Sequence, residues 1–257
     1  MEWFVRKNSI VRDIWGNADT ILLIFGGAAA EFALNKAVDW LYYTGRLPAD
    51  PIGRLFSTVT YARHIVFAKA EAAHNIIDKM RMIHTGVEKN RGYAIPDWAY
   101  RDVLFMLIHY SISSYEVLHR RLSADEKQEV FDVFNRVGLR MGLKELPATY
   151  VEWLPYYQQH LNNDLVKSNY TLDLFKQYKK HLGPVRYAIL LEAQILVVPA
   201  TVATLLSMRK FSLLSPIMPI YKVMTRIGAD KLIKSVLLPE KYKKQIASLN
   251  FAAADKS

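Results

Sequence analysis

The sequence predicts an all-α protein: a single, mostly helical domain of about eight or more helices over residues 1–257. Two observations lead to this fold class. No segment alternates apolar and polar residues with a period of two, as a half-buried strand would. Instead, apolar residues recur at spacings of three and four, and helix-stopping residues separate such segments. Examples of the helical spacing are Phe67, Ala70, Ala73, Ile77 and Met80.

The chain contains no cysteine. Disulfides, thiolate nucleophiles and Cys-ligated zinc, haem or iron–sulfur groups are therefore excluded. Common nucleotide-binding and hydrolase patterns are also absent from the sequence, which has no P-loop, G-x-G-x-x-G, G-x-S-x-G or H-E-x-x-H. These exclusions leave histidines, carboxylates and bound cofactors as the sources of any catalysis.

Positive charge is concentrated towards the C-terminus. The formal net charge is +10, and Arg209 to Ser257 contain ten Lys and Arg against three Asp and Glu. A basic region attracts anionic lipid or nucleic acid. No nucleic-acid-binding module is recognisable, so we expect no nucleic-acid partner. Residues 1–15 lack the apolar core of a signal peptide. We expect a cytoplasmic protein, with peripheral membrane association through the basic C-terminal region left open.

Residues 20–34 form a strongly apolar segment. It is too short for a convincing membrane span and is interrupted by Glu31, so it predicts a buried core helix. The Gly26-Gly27 pair within it would let another helix, or a flat cofactor, approach the backbone closely.

Residues 188–208 are the longest apolar stretch and are long enough to cross a bilayer. Glu192 and Pro199 argue against a span, because a carboxylate within the bilayer costs about 2.5–3.5 kcal/mol on insertion scales. A buried core helix is favoured, and a membrane-embedded or interfacial helix is the alternative.

Turn and capping residues predict the helix boundaries. Asp50-Pro51 indicates the start of helical sequence that continues to His84, after which residues 85–95 should form a loop. The next helix begins at Pro96-Asp97 and ends before Ser123. Further signals are N-caps at Ser123 and Thr149 and stops at Gly142 and Gly183-Pro184.

Two of the seven histidines, His84 and His109, lie on apolar helical faces and are the candidate ligands. His160 stands in polar sequence, so we expect it to be solvated. Asp102, His109 and Glu116 are spaced by seven residues and share a helix face, where a carboxylate could orient the imidazole.

Two Glu-x-x-His motifs offer a different metal chemistry. They are Glu71/His74 and Glu116/His119. In helical bundles such a pair, with two bridging carboxylates, holds a di-iron centre. The bridging groups would have to come from residues such as Glu31 and Asp102. A di-iron carboxylate oxidase therefore stays open as an alternative to a single-histidine site.

A longer pattern begins at Asp50. Its parts are Asp50-Pro51-Ile52-Gly53-Arg54-Leu55-x-x-Thr58, Arg81-Met82-Ile83-His84-x-x-Val87, Gly92-Tyr93, Pro96-Asp97, Leu107-Ile108-His109, and Gly142 followed by Leu146-Pro147-x-Thr149. In this order they resemble the MpaB-type oxygenase family, which includes rubber oxygenases of the latex-clearing type. The matching features span residues 26–155. We take residues 26–180 as the approximate family-like core, with an apolar helix and basic extension over 186–257.

The resemblance implies a helical protein that encloses a haem b. His84 would be the iron ligand, and His109 a further cofactor-binding residue. Arg54 and Thr58 would be both catalytic and cofactor-binding, because they line the haem pocket in the family. Glu31 is the candidate catalytic base. Dioxygen would be the co-substrate, and the substrate a lipophilic small molecule, isoprenoid or lipid-like.

The chain departs from the family pattern close to these residues. Ser57 stands where rubber oxygenases carry a lysine just before the motif threonine, and Lys89 and Ala68 replace glycines. The departure at Ser57 concerns the distal side of the haem. A non-catalytic helical protein that binds haem or lipid at a membrane surface is therefore the second alternative.

Overall fold

The computed structural model describes residues 2–43, 45 and 49–226, and the predicted all-α class is confirmed. Within those residues there is no strand, only two isolated bridges, Trp3–Lys69 and Asn35–Leu165. The helices are α1 (Ile10–Gly16), α2 (Ala18–Phe32), α3 (Asp39–Tyr43), α4 (Pro51–Phe67), α5 (Ala70–Arg91), α6 (Asp97–Leu118), α7 (Ala124–Met141), α8 (Tyr150–Asn163), α9 (Asn169–Val197), α10 (Ala200–Leu205) and α11 (Met218–Arg226). A 3₁₀ turn, Ser215–Ile217, precedes α11.

Helix α2 lies at the centre of the fold, as predicted for residues 20–34. Its side chains are buried along almost its whole length, and it packs against α6 and α9. The close approach depends on Gly27, because a Cβ there would lie 2.3 Å from the ring of Tyr110 and 2.9 Å from Val197. Within the Gly26-Gly27 pair it is therefore Gly27 that permits the close helix packing.

Local capping signals were predicted correctly. Asp50 accepts a hydrogen bond from the Gly53 amide at the start of α4, and Thr149 accepts one from Glu152 at the start of α8. Ser123 forms a complete capping box with Glu126. Such side chains satisfy amides that have no partner within the helix.

The prediction of a loop from residue 85 is wrong. Helix α5 continues through His84 to Arg91 and ends at Gly92, which has a left-handed φ of 86°. The end of this extension, which adds about two turns, contacts distant residues through Arg91, which lies over the ring of Trp40 and pairs with Asp39 at 2.6 Å. These partners are about fifty residues away in sequence, so local propensity does not reveal them.

The apolar segment 188–208 is broken in the structure. Helix α9 ends at Val197, Val198 and Pro199 are extended, and α10 follows. The predicted stop at Gly183-Pro184 is confirmed within α9, because Gly183 adopts a non-helical φ of 74° and ψ of 170°, so that Asn169–Val197 consists of two helical segments joined at a kink. No helix in the described ranges is long and apolar enough to cross a membrane. Most of the predicted basic extension, residues 227–257, lies outside the described residues.

Candidate functional site

Arg54, Ser57 and Thr58 lie on the first two turns of α4. The Asp50 cap and Pro51 start the helix, which puts Arg54 in its first turn. The Ser57 hydroxyl donates to the Arg54 carbonyl at 2.8 Å and accepts from the Arg54 guanidinium at 3.1 Å. The Thr58 hydroxyl donates to the same carbonyl at 3.3 Å. The two hydroxyl groups therefore stabilise the turn that carries Arg54.

His84 lies in the middle of α5, which packs against α4. Its ring is half-buried and meets Tyr100 edge-on, with the ring centres 5.2 Å apart. The Nδ1 atom is buried and has no hydrogen-bond partner. Burial lowers the pKa of His84, and the charge of Arg54 lowers it further. His84 is thus a neutral imidazole with one buried nitrogen unpaired, close to Arg54. We call His84, Arg54, Ser57, Thr58 and Tyr100 the His84 group.

Glu31 occupies a fully buried position on α2. The hydroxyls of Tyr110 and Tyr157 both donate to Glu31 Oε2, at 2.8 and 2.7 Å. His160 Nε2 lies 3.2 Å from Oε1. Burial and the neighbouring carboxylate raise the pKa of both tyrosines well above the usual value, so both stay protonated donors. The carboxylate is therefore held by three side chains from two other helices.

The expectation that His160 is solvated is wrong, because its side chain is 2% exposed. Its Nδ1 lies 2.8 Å from Asp102 Oδ1 and 3.6 Å from Asp164 Oδ2. Burial alone would lower the pKa of His160, but the negatively charged contacts with Asp102 and Glu31 raise it to about 9. Burial and the charge of Asp102 raise the pKa of Asp164. Negative charge is therefore concentrated around one imidazole.

We call this second assembly the His160 cluster. It consists of Glu31, Asn35, Asp102, Tyr110, Tyr157, His160 and Asp164. The buried stripe of α8 explains its position: Trp153, Tyr157 and His160 are spaced by four and three residues and face the core. That spacing is the sequence signal that could have predicted the burial of His160. No such signal pointed to Tyr110 or Asn35 as members of the cluster.

His109 lies at the edge of the His160 cluster. Its ring stacks on Tyr157 with centres 4.8 Å apart, and its Nε2 is 3.4 Å from the Val197 carbonyl. Burial lowers the pKa of His109, against the effect of the Glu31 charge. Asp102, on the same helix, contacts His160 and accepts from Asn35. The predicted orientation of His109 by a carboxylate of its own helix is therefore wrong.

The two Glu-x-x-His motifs do not assemble. Glu71 is exposed, and His74 packs edge-on against Phe4. His119 contacts the Thr20 hydroxyl, and Glu116 pairs with Lys127. Over the described part of the chain, the single group of three His, Asp or Glu residues close enough to share a metal is Asp102, His160 and Asp164. It contains none of the four motif residues, which removes the basis for the predicted di-iron site.

The predicted residues therefore divide between two places. Arg54 lies within electrostatic range of His84 where α4 meets α5, and Thr58 is bonded to the Arg54 carbonyl, while Glu31 and His109 lie in or beside the His160 cluster. Residues 14–231 match the family model described as ER-bound oxygenase mpaB/B'/rubber oxygenase, catalytic domain. The chain belongs to this family. Searches of curated proteins and of solved structures found no match to it.

Family membership confirms the predicted resemblance and gives the class of activity. The chain carries an oxygenase catalytic domain, which supports its being an enzyme that uses dioxygen. The matched range covers the helices from α2 to α11, and both the His84 group and the His160 cluster fall within it.

Proposed function

We propose that the protein is a haem b-dependent oxygenase that acts on a hydrophobic substrate, with His84 as the iron ligand. The observation that carries the proposal is the unpaired, buried Nδ1 of a neutral His84 in a chain of an oxygenase family. A buried polar atom without a partner costs about 1–3 kcal/mol. Such a cost is typical of a site that is completed by a bound group.

The residues of the His84 group fit a haem. An imidazole must be neutral to ligate iron, and the low pKa of His84 provides this. The Arg54 guanidinium can pair with a haem propionate, because its planar donors match a carboxylate. Ser57 and Thr58 act as positioning residues, since both hydroxyls are bonded to the Arg54 backbone. Haem b, when bound, supplies the binding and activation of dioxygen.

Glu31 remains the predicted base. Both of its oxygens are engaged, so any proton that it accepts has to pass through Tyr110, Tyr157 or His160. In this proposal Tyr110 and Tyr157 exclude water from the Glu31 carboxylate and fix its orientation. His109 stacks on the ring of Tyr157. The role of His109 as a cofactor-binding residue is likewise a proposal.

The proposed substrate is lipophilic, isoprenoid or lipid-like, and reaches the cytoplasmic protein from a membrane surface. Support comes from apolar side chains that are exposed on the segment after α10. They are Phe211, Leu213, Ile217, Ile220 and Val223. Arg209 and Lys210 adjoin this segment, and the family description names ER-bound members. A basic, apolar surface of this kind attracts anionic lipid.

The haem proposal is tested by the absorption spectrum of the chain reconstituted with haem b. We expect a Soret band that His84→Ala abolishes, because the ligand is removed. His64→Ala is the matched control, since His64 is exposed in the last turn of α4. A Soret band of equal intensity in His84→Ala would refute the assignment. Haem loading without dioxygen consumption on any lipophilic substrate would favour the non-catalytic haem-binding alternative.

The membrane proposal is tested by flotation with vesicles that contain phosphatidylserine. We expect binding at low salt that Phe211→Asp weakens. Val151→Asp is the control, because both side chains are 72% exposed. Failure of the unaltered protein to float with anionic vesicles would contradict the membrane proposal and leave the haem assignment intact.

A further inference from the structure

Three ligand-type side chains converge within the His160 cluster. Asp102 comes from α6, His160 from α8, and Asp164 is the residue that caps the end of α8. One ligand atom of each residue lies within 4.8 Å of those of the other two, and His160 Nδ1 faces Asp102 Oδ1 and Asp164 Oδ2. The His160 and Asp102 side chains are 2% and 3% exposed, and that of Asp164 is 25% exposed. Asp102 and His160 are thus buried, and Asp164 connects the group to solvent.

His160 Nδ1 is a buried nitrogen without a normal hydrogen bond. It faces Asp102 at 2.8 Å and Asp164 at 3.6 Å, but neither contact satisfies hydrogen-bond geometry. Metal–ligand bonds of about 2.1 Å place neighbouring ligand atoms about 3.0–3.4 Å apart in octahedral or tetrahedral coordination. The two observed separations bracket that range. The three ligand atoms therefore lie close enough together to share one cation.

We propose that Asp102 Oδ1, His160 Nδ1 and Asp164 Oδ2 bind one divalent transition-metal ion, Mn²⁺, Fe²⁺ or Zn²⁺. One imidazole with two carboxylates is a donor set that suits these ions, whereas Mg²⁺ and Ca²⁺ prefer oxygen ligands alone. The site is separate from the proposed haem ligand, and its residues include neither His84 nor Arg54.

Outer contacts already orient two of the three ligands, His160 and Asp102. Glu31 Oε1 is the partner of His160 Nε2, so Nε2 keeps its proton, while a metal ion at Nδ1 would displace the proton that the raised pKa of His160 places there. Asn35 Nδ2 donates to Asp102 Oδ2 at 2.7 Å, which leaves Oδ1 for the ion. A carboxylate behind a metal-bound histidine is the usual arrangement at such centres.

Charge and access also favour a cation. Glu31, Asp102 and Asp164 surround His160, so two positive charges would offset the concentration of carboxylates. The partly exposed Asp164 provides an entry path and room for water as the remaining ligands. The ion would tie α6 to the end of α8, where the Asp164 carbonyl also accepts a hydrogen bond from the Lys36 amide.

The test uses the full chain, treated with a chelator and then titrated with Zn²⁺ alone. We expect one zinc ion per chain, and zinc K-edge absorption should report one imidazole with oxygen ligands. Asp164→Asn should weaken binding more than about tenfold, because it removes a charged ligand at a partly exposed position. His160→Gln should abolish it. Asp132→Asn, an exposed site on α7, is the control and should bind zinc as the unaltered chain does.

No bound zinc, or equal zinc affinity in Asp164→Asn and Asp132→Asn, would overturn the proposal; the latter would indicate an adventitious surface ion only. Asp164→Asn decides the question even if His160→Gln fails to fold, since circular dichroism can verify the fold of the milder variant. The Soret band is measured on the same samples. It reports haem independently of zinc, so failure of one site is distinguished from failure of the other.

Discussion

The His84 group and the His160 cluster are each built around a histidine with one buried ring nitrogen that has no normal hydrogen bond, but they differ in how many side chains hold the neighbouring groups. His84 Nδ1 has no hydrogen-bond partner, and the His84 group comes from three consecutive helices, α4, α5 and α6. The His160 cluster gathers side chains from α2, α6 and α8, and Glu31 alone has three partners. Both regions therefore have a ring nitrogen available to a bound group, while the His160 cluster also links groups that are far apart in the sequence through the hydrogen bonds of Glu31.

The largest effect on stability is expected at Glu31. Removing one partner of a buried ionic network costs about 3–5 kcal/mol, because the remaining groups lose their compensation. Glu31→Ala leaves the hydroxyls of Tyr110 and Tyr157 and the imidazole of His160 without this carboxylate. The free energy of unfolding, measured by urea denaturation, should fall by that amount.

The control for that prediction is Glu129→Ala. Glu129 forms an exposed pair with Arg6 at 3.3 Å, and such pairs contribute about 0–1 kcal/mol. Equal losses of stability in Glu31→Ala and Glu129→Ala would mean that the His160 cluster does not hold the helices together.

Gly27→Ala tests the packing of α2 beneath Tyr110. The new Cβ would lie 2.3 Å from the Tyr110 ring, whose hydroxyl is fixed on Glu31, so we expect a loss of about 1–3 kcal/mol. The neighbouring Gly26→Ala is the control, because its Cβ would meet only Leu190 at 3.6 Å. Gly26→Ala should be neutral or stabilising by up to about 1 kcal/mol through helix propensity. Thermal melting of both variants measures this difference. Equal shifts of Tm in Gly27→Ala and Gly26→Ala would contradict the prediction.

In the haem-free protein, His84→Leu should raise the free energy of unfolding, whereas the substitutions above lower it. Replacing an unpaired buried nitrogen with an apolar side chain removes a desolvation cost, so stability should rise by about 1 kcal/mol. Substitutions at functional sites commonly raise stability while they lower activity. A loss of more than about 2 kcal/mol in urea denaturation would show that His84 serves the fold in the same way as a core residue.

The smallest effect is expected far from both regions. Ser123→Ala removes the capping box of α7 and should cost about 1 kcal/mol, while Ser123→Gly should cost only a few tenths. Neither variant should change haem or zinc binding. A changed Soret band in either would mean that helix ends and sites are coupled more strongly than these contacts indicate.

The parts of the fold that depend on neighbouring residues could be predicted from the sequence. Ser123, Thr149 and Asp50 cap the helices that they were expected to cap, since each satisfies an amide only three residues away. Arg54 and His84 could be paired through the family pattern, and the structure brings them within electrostatic range.

The remainder depends on contacts between distant residues. Arg91 extends α5 by packing on Trp40, and His160 is buried because Glu31, 129 residues earlier, faces it. The polar neighbours of His160 in sequence are exposed on the other side of α8, which is why local composition predicted a solvated residue. Helical spacing from Trp153 and Tyr157 carried the correct information, but it does not identify the partner helices.

The most direct test of the account compares His84→Ala with Asp164→Asn, each loaded with haem b and titrated with Zn²⁺. Soret absorbance and bound zinc are measured on the same samples. We expect His84→Ala to lose the Soret band and keep one zinc ion, whereas Asp164→Asn should keep the band and lose zinc affinity. A full Soret band in His84→Ala, or one substitution that removes both signals from a folded chain, would contradict the assignment of two separate sites.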